Sequence, residues 1–337
     1  MRTAERALLA ALLPAAFLSM TGCSGSPHNP TENYILVATN TKIPYWQSAS
    51  AGLIHAVNEM KVKGSMDGPD TYDAKAEHDA FQRALAQKPA GILISAADAS
   101  VMTPDINSAV QQGIPVITID SDAPGSKRLF FVGTDNYNAG TLGGGLVAKL
   151  INGKGNVVVF TIPSQANLRD RLHGYEDAFA EHPDIKISQV VDMGGDPTVV
   201  FDTTRKLLDS KAKVDAFVCL EAISCPEVGE VVNRANMKGK VTIVAMDTDQ
   251  RTTDWIQKGV VSATIAQKPF TMAYYGTKLL DDLHHHPPSP LAGNWAQSAT
   301  APVPTFVDTG TFIVDKGNVD AFLQQNKSAT AQATSGQ

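Results

Sequence analysis

From Tyr34 onward, short apolar runs alternate with stretches in which apolar residues recur every three or four positions. Residues 34–38 predict a buried strand, and 46–60, with Leu53, Val57 and Met60 at helical spacing, predict the helix that follows it. Strands come next at 91–94 and 115–119, separated by a helix over 103–112 that Gly113 ends, and a short apolar run covers 129–132. The rhythm then restarts. Strands at 156–160, 187–191, 216–218, 241–246 and 262–265 alternate with helices at 170–181, 199–208, 226–237, 249–258 and 270–284. Strand–helix alternation implies parallel sheets covered on both faces, and two successive runs of it imply two doubly wound α/β domains.

In such sheets a ligand sits at the carboxyl ends of the strands. The polar residues there are Thr39-Asn40, Ser95, Asp120, Thr134-Asp135, Glu221, Asp247 and Gln267. Any one of them also suits a helix cap or turn, but the series as a whole points to a site.

Composition adds limits. At 337 residues and 43% hydrophobic, the chain can bury the cores of two domains. A net charge of −6 with no dominant basic patch gives no electrostatic support for nucleic-acid binding. Arg2 and Arg6 precede an apolar stretch over 7–18 of signal-peptide length, too short to span a bilayer. Met20-Thr21-Gly22-Cys23 then resembles a bacterial lipobox, in which Cys23 would carry lipid and become the new N-terminus. Residues 24–33 read as a tether and 326–337 as a disordered tail. Cys219 and Cys225 are left either to pair across a short loop or to stand as two thiols. No metal or cofactor is expected: Cys-x5-Cys is poor ligand spacing, and His284-His285-His286 reads as a solvated helix end.

Six motifs, in order, resemble the ribose-binding-like (type I) periplasmic binding proteins. They are the stretch Thr39 to Trp46 with Pro44 before two aromatics, Gly113 to Asp120, and Val132 to Asn136 followed by Gly140. The remaining three are Arg169-Asp170-Arg171 with Gly174-Tyr175, Ala245-Met246-Asp247, and Ala263 to Pro269. The resemblance implies two lobes joined by three crossings. One lobe would hold 34–134 plus 268–308 and the other 135–267 plus 309–325. It further implies ligand contacts from Asp120, Arg171, Asp247 and Gln267, weaker ones from Thr39, Ser95 and Thr134, and flat apolar surface from Tyr45 and Trp46.

The chain departs from the ribose pattern at two places. Ile43 stands where an amide is usual, and Cys219-Leu220-Glu221-Ala222 replaces an Asn-Asp pair, with Glu221 adding an acceptor. An apolar group cannot satisfy a hydroxyl. The expected ligand is therefore a polyol, a deoxy-sugar or a differently configured monosaccharide rather than ribose.

The resemblance implies a monomeric solute-binding lipoprotein of the periplasm or cell envelope. It would be held to the membrane through Cys23 and would serve the permease of an ABC importer, with no nucleic-acid partner. The alternative is a ligand-binding module that presents a sugar-like signal to a membrane sensor or chemoreceptor. Catalysis is not expected: there is no Gly-x-Ser-x-Gly elbow, no His-Glu-x-x-His and no Walker loop.

Overall fold

The computed structural model describes residues 28–288 and 298–326. A first series runs β1 (Asn33–Val37), α1 (Pro44–Met60), β2 (Lys63–Asp67), α2 (Ala74–Ala86), β3 (Gly91–Ile94), α3 (Ala99–Gln111), β4 (Val116–Ile119) and β5 (Phe131–Gly133). A second runs α4 (Asn136–Leu150), β6 (Lys154–Thr161), α5 (Ala166–Ala180), β7 (Asp184–Asp192), α6 (Pro197–Asp209) and β8 (Ala216–Cys219). It continues through α7 (Ser224–Arg234), β9 (Thr242–Met246), α8 (Gln250–Gln257) and β10 (Ala263–Ala266). Helix α9 (Pro269–His285) and strands β11 (Phe306–Asp308) and β12 (Phe312–Asp315) follow.

The strands form two six-stranded sheets, ordered β2-β1-β3-β4-β5-β11 and β7-β6-β8-β9-β10-β12. Every neighbouring pair is parallel except β12 against β10. Period-two alternation explains why these strands read as unbroken apolar runs. In β1, Tyr34 and Leu36 pack with Leu53 of α1 and Leu280 of α9, while Ile35 and Val37 pack with Phe81 of α2 and Ile106 of α3. The chain passes from the first sheet to the second between β5 and α4, returns between β10 and α9, and crosses again between β11 and β12. The crossings bind one another: the N–H of Thr309 donates to Gly133 O (2.8 Å), and Asp308 Oδ1 accepts the N–H of Asp135 (3.2 Å).

Elements β2, α2, α4, β11 and β12 carry no clear signal in the sequence. Strand β2 is a half-exposed edge reading Lys-Gly-Ser-Met-Asp. Helix α4 contains Gly140, Gly143, Gly144 and Gly145, which oppose a helix by propensity. Packing overrides that preference. A Cβ on Gly140 would meet Arg171 O of α5 at 2.1 Å, and one on Gly174 of α5 would meet Tyr137 O at 2.2 Å. The two backbones lie against each other there, and α5 carries Arg171. Helices also begin earlier than their apolar spacing suggests. Helix α3 starts after Asp98, whose carboxylate accepts the N–H groups of Ser100 and Val101.

The signal segment with Cys23 and the tail from 327 onward lie outside the described residues. Of the expected tether, residues 28–32 lead into β1 through a turn in which Glu32 N–H donates to Asn29 O at 2.9 Å. Among the described residues no helix is long and apolar enough to cross a membrane.

Gly140→Ala should therefore lower stability by about 1–3 kcal/mol, because backbone must move to admit the methyl. Gly145→Ala, on the same helix with open space around it, should be neutral or stabilising by about 0.5–1 kcal/mol. Urea midpoints of the two variants check this contrast, and equal losses would refute it.

Candidate functional site

Between the two sheets lies a cavity of about 50 Å³, several times the roughly 10–15 Å³ that one water requires. Eight of the ten residues expected from the sequence line it: Thr39, Tyr45, Trp46, Asp120, Arg171, Glu221, Asp247 and Gln267. The other two stand behind the wall. Ser95 Oγ donates to Asp120 Oδ2 at 3.1 Å, and Thr134 Oγ1 donates to Gln267 Oε1 at 2.7 Å.

The topology explains the convergence. Asp120 follows β4 and Asp247 follows β9, and these strands hold equivalent places in the two sheets. Both aspartates take left-handed backbone, φ 61° and 69°, a conformation that Asp tolerates better than most residues. Each ends its strand with a carboxylate on the cavity wall.

Arg171 is 2% exposed. Its Nε donates to Asn136 Oδ1 (2.8 Å), Nη1 to Leu220 O (2.7 Å) and Nη2 to Gln267 Oε1 (2.9 Å). A guanidinium has five N–H groups, so each Nη keeps one for another acceptor. Gln267 in turn donates through Nε2 to Asp247 Oδ1 at 2.8 Å. Asp120 accepts from Tyr45 Oη (2.7 Å) and Asn167 Nδ2 (3.4 Å) as well as Ser95. Tyr45 thus brings a hydroxyl as well as a ring face, and it packs edge-on against Trp46 with centroids 5.2 Å apart.

Glu221 behaves differently from expectation. Its Oε1 accepts the N–H of Ser224 (3.1 Å) and the Ser224 hydroxyl, and its Oε2 accepts the N–H of Ile223 (2.5 Å). The carboxylate closes the turn into α7, so much of its accepting capacity is used before any ligand arrives. Cys219 and Cys225 flank that turn as buried free thiols, and burial pushes the Cys219 thiol well up, which keeps it protonated.

Three buried carboxylates thus lie within electrostatic reach of one guanidinium. Burial pushes the Asp247 carboxyl up to about 7, with Arg171 pulling the other way. Burial also raises Asp120, against the opposing effects of Arg171, Tyr45, Ser95 and Asn167, and it raises Glu221 against the bonds from its own loop.

Sequence reasoning did not assign Tyr72, Gln165 or Asn167 to the site, yet all three line the cavity, as does Asn40, one of the strand-end polar residues. Gln165 and Asn167 escape because α5 begins at Ala166, four residues before its apolar periodicity is evident. Tyr72 sits in a loop with no local signal. Its hydroxyl donates to Ala97 O (2.7 Å) and lies 2.5 Å from Ser164 Oγ on the opposite side of the cleft. Ile43 and Ala222 also line the cavity and present apolar surface there.

The sequence profile of the family described as periplasmic binding protein domain matches residues 34–285. The chain is 23% identical over 262 residues to the D-allose-binding periplasmic protein of Escherichia coli, covering 74% of this chain and 83% of that one. It is 22% identical over 286 residues to the ribose import binding protein of Bacillus subtilis, covering 81% and 92%. Among solved structures, a sugar-binding protein of a sugar ABC transporter from Bacillus halodurans superposes with a TM-score of 0.75 at 34% identity, covering 86% of this chain and 99% of that one. An arabinose-binding protein from Geobacillus stearothermophilus gives 0.73 at 33% identity, covering 87% and 99%.

Asp247 yields a pH dependence whose sign follows from its position. Its folded-state value of about 7 exceeds the ordinary 3.8, so the folded protein holds this proton more tightly than the unfolded chain does. The resulting stability is complete below about pH 3.8 and is lost as pH rises through about 7, with an upper limit of about 4 kcal/mol. The Tm of ligand-free protein should fall across this window, and Asp247→Asn should flatten the slope. Asp120, Glu221 and the buried Glu77 shift in the same direction, so the slope should shrink without vanishing. An unchanged slope in the variant would contradict the assignment.

Proposed function

The chain belongs to the periplasmic binding protein family, and on that premise we propose that it captures a small monosaccharide or polyol between its lobes for the permease of an ABC importer. The observation that carries this reading is the set of hydrogen-bonding side chains delivered to one cavity from both sheets. Asp120, Tyr45 and Asn40 come from the first series, and Arg171, Asp247, Gln267 and Asn167 from the second. A hydroxyl both donates and accepts. It can give its proton to a carboxylate and receive one from the N–H groups that Arg171 has left, while Trp46 and Tyr45 meet the C–H face of a ring.

Closure is a hinge motion about the three crossings. Ligand favours the closed form only by its extra affinity for that form, which comes from the second wall of groups it then touches. The apolar Ile43 and Ala222 on the cavity wall support a ligand lacking hydroxyls at those points, and hence one other than ribose. The N-terminal segment ending in Cys23 supports export and lipid attachment. Delivery to a permease, rather than signalling, agrees with the import and transporter names of the relatives.

Calorimetric titration of the purified protein with pentoses, hexoses and polyols should find one that binds at 1:1 stoichiometry. Arg171→Met and Asp120→Asn should each cost at least about 2 kcal/mol, roughly 30-fold in Kd, because each leaves buried partners unpaired. Circular dichroism and Tm establish that the variants remain folded. Tightest binding to ribose would reject the ligand choice, and failure of every sugar and polyol would reject the function. In bacterial cells, Cys23→Ser should move the protein from the membrane fraction to the soluble fraction, and unchanged membrane retention would reject the anchor.

A further inference from the structure

At the opposite end of the first sheet from the cleft, two segments distant in sequence bring four metal-ligating side chains together. His28 and Glu32 precede β1. Asp281 and His285 lie one turn apart in the last turns of α9, so they share a face. One ligand atom from each of the four lies within 4.8 Å of all the others. His28 Nδ1 is 3.1 Å from Asp281 Oδ1, and His285 Nε2 is 3.2 Å from Glu32 Oε2 and 3.6 Å from Asp281 Oδ1.

We infer that His28, Glu32, Asp281 and His285 form a binding site for a divalent transition-metal ion of the zinc class. Spacing is the first ground. Four donors about 2.0–2.2 Å from a tetrahedral centre stand about 3.3–3.6 Å from one another, close to the three separations above. Donor chemistry is the second. Two imidazoles and two carboxylates suit zinc, whereas magnesium and calcium favour all-oxygen cages. Two carboxylates also neutralise the ion, so the complex carries no net charge into a partly enclosed pocket. The side chains keep between 10% and 26% of their exposure.

Support behind the ligands is the third ground. Tyr34 Oη donates to Asp281 Oδ1 at 2.9 Å, and the N–H of Asn29 donates to Glu32 Oε1 at 2.9 Å, leaving Glu32 Oε2 toward His285. Contacts of this kind hold metal ligands in orientation. The rings of His28 and His285 pack edge-on with centroids 5.4 Å apart.

The three consecutive histidines therefore divide. His284 and His286 are exposed, and His286 pairs with Asp282, while His285 turns inward. A bound ion would tie the segment that enters the first lobe to the helix at that lobe's base, across 253 positions of sequence. It would do so without entering the cleft.

The test uses the full chain, without a histidine tag and stripped with a chelator, at pH 7.5. Titration with Co2+ should give one equivalent with the strong visible absorption of four-coordinate cobalt, displaced by one equivalent of Zn2+, and Zn2+ should raise Tm. His285→Ala and His28→Ala should each weaken binding about 100-fold or more, since losing even a supporting contact costs about 10–100-fold. The double variant His284→Ala with His286→Ala should retain the full equivalent. No stoichiometric binding would overturn the assignment and leave the cluster as imidazole–carboxylate contacts within the fold. Binding that survives loss of His28 and His285, or that disappears with His284 and His286, would overturn it equally.

Discussion

One buried guanidinium holds the cleft together. Arg171 reaches the start of α4 through Asn136, the end of β8 through Leu220 O and the end of β10 through Gln267. A charge this deep is tolerated only when its hydrogen bonds are met and opposite charge is near. Here Asp120, Asp247 and Glu221 supply that charge and Arg171 restrains their carboxyls, although burial still raises all three. The glycine contact between α4 and α5 belongs to the same arrangement, since it brings the Arg171 backbone against the helix that carries its partner Asn136.

The two sheets repeat one plan with different chemistry. Equivalent strands end in Asp120 and Asp247, each in left-handed backbone, yet their partners differ. Asp120 is held by three hydrogen bonds from Tyr45, Ser95 and Asn167. Asp247 takes the side-chain amide of Gln267 and has the more fragile charge, with a carboxyl near 7. The cleft therefore pairs an acceptor held by three side-chain hydrogen bonds with one held by a single side-chain amide.

Much of this was legible along the chain. Buried parallel strands are apolar throughout because both faces are covered, so β1, β3, β4, β8, β9 and β10 stood out as runs. The first polar residue after each run marked the cleft, which located Thr39, Asp120, Glu221, Asp247 and Gln267. The edge strand β2 escaped because exposure removes the apolar pattern, and α4 because its glycines answer to a neighbouring helix rather than to helix propensity.

Local chemistry thus determined the two α/β runs and their strand-end polar residues, because these depend on the order of residues alone, whereas the departure at Ile43 and Ala222 shows only against the family resemblance. Tertiary structure decided which way each polar group faces. It sent Glu221 back onto its own turn, placed Ser95 and Thr134 behind the wall, and brought Tyr72 and Asn167 into the cleft. It also gathered Glu32 with His285 across 253 positions. Orientation and long-range proximity arise only once the backbone has closed, so no local pattern could carry them.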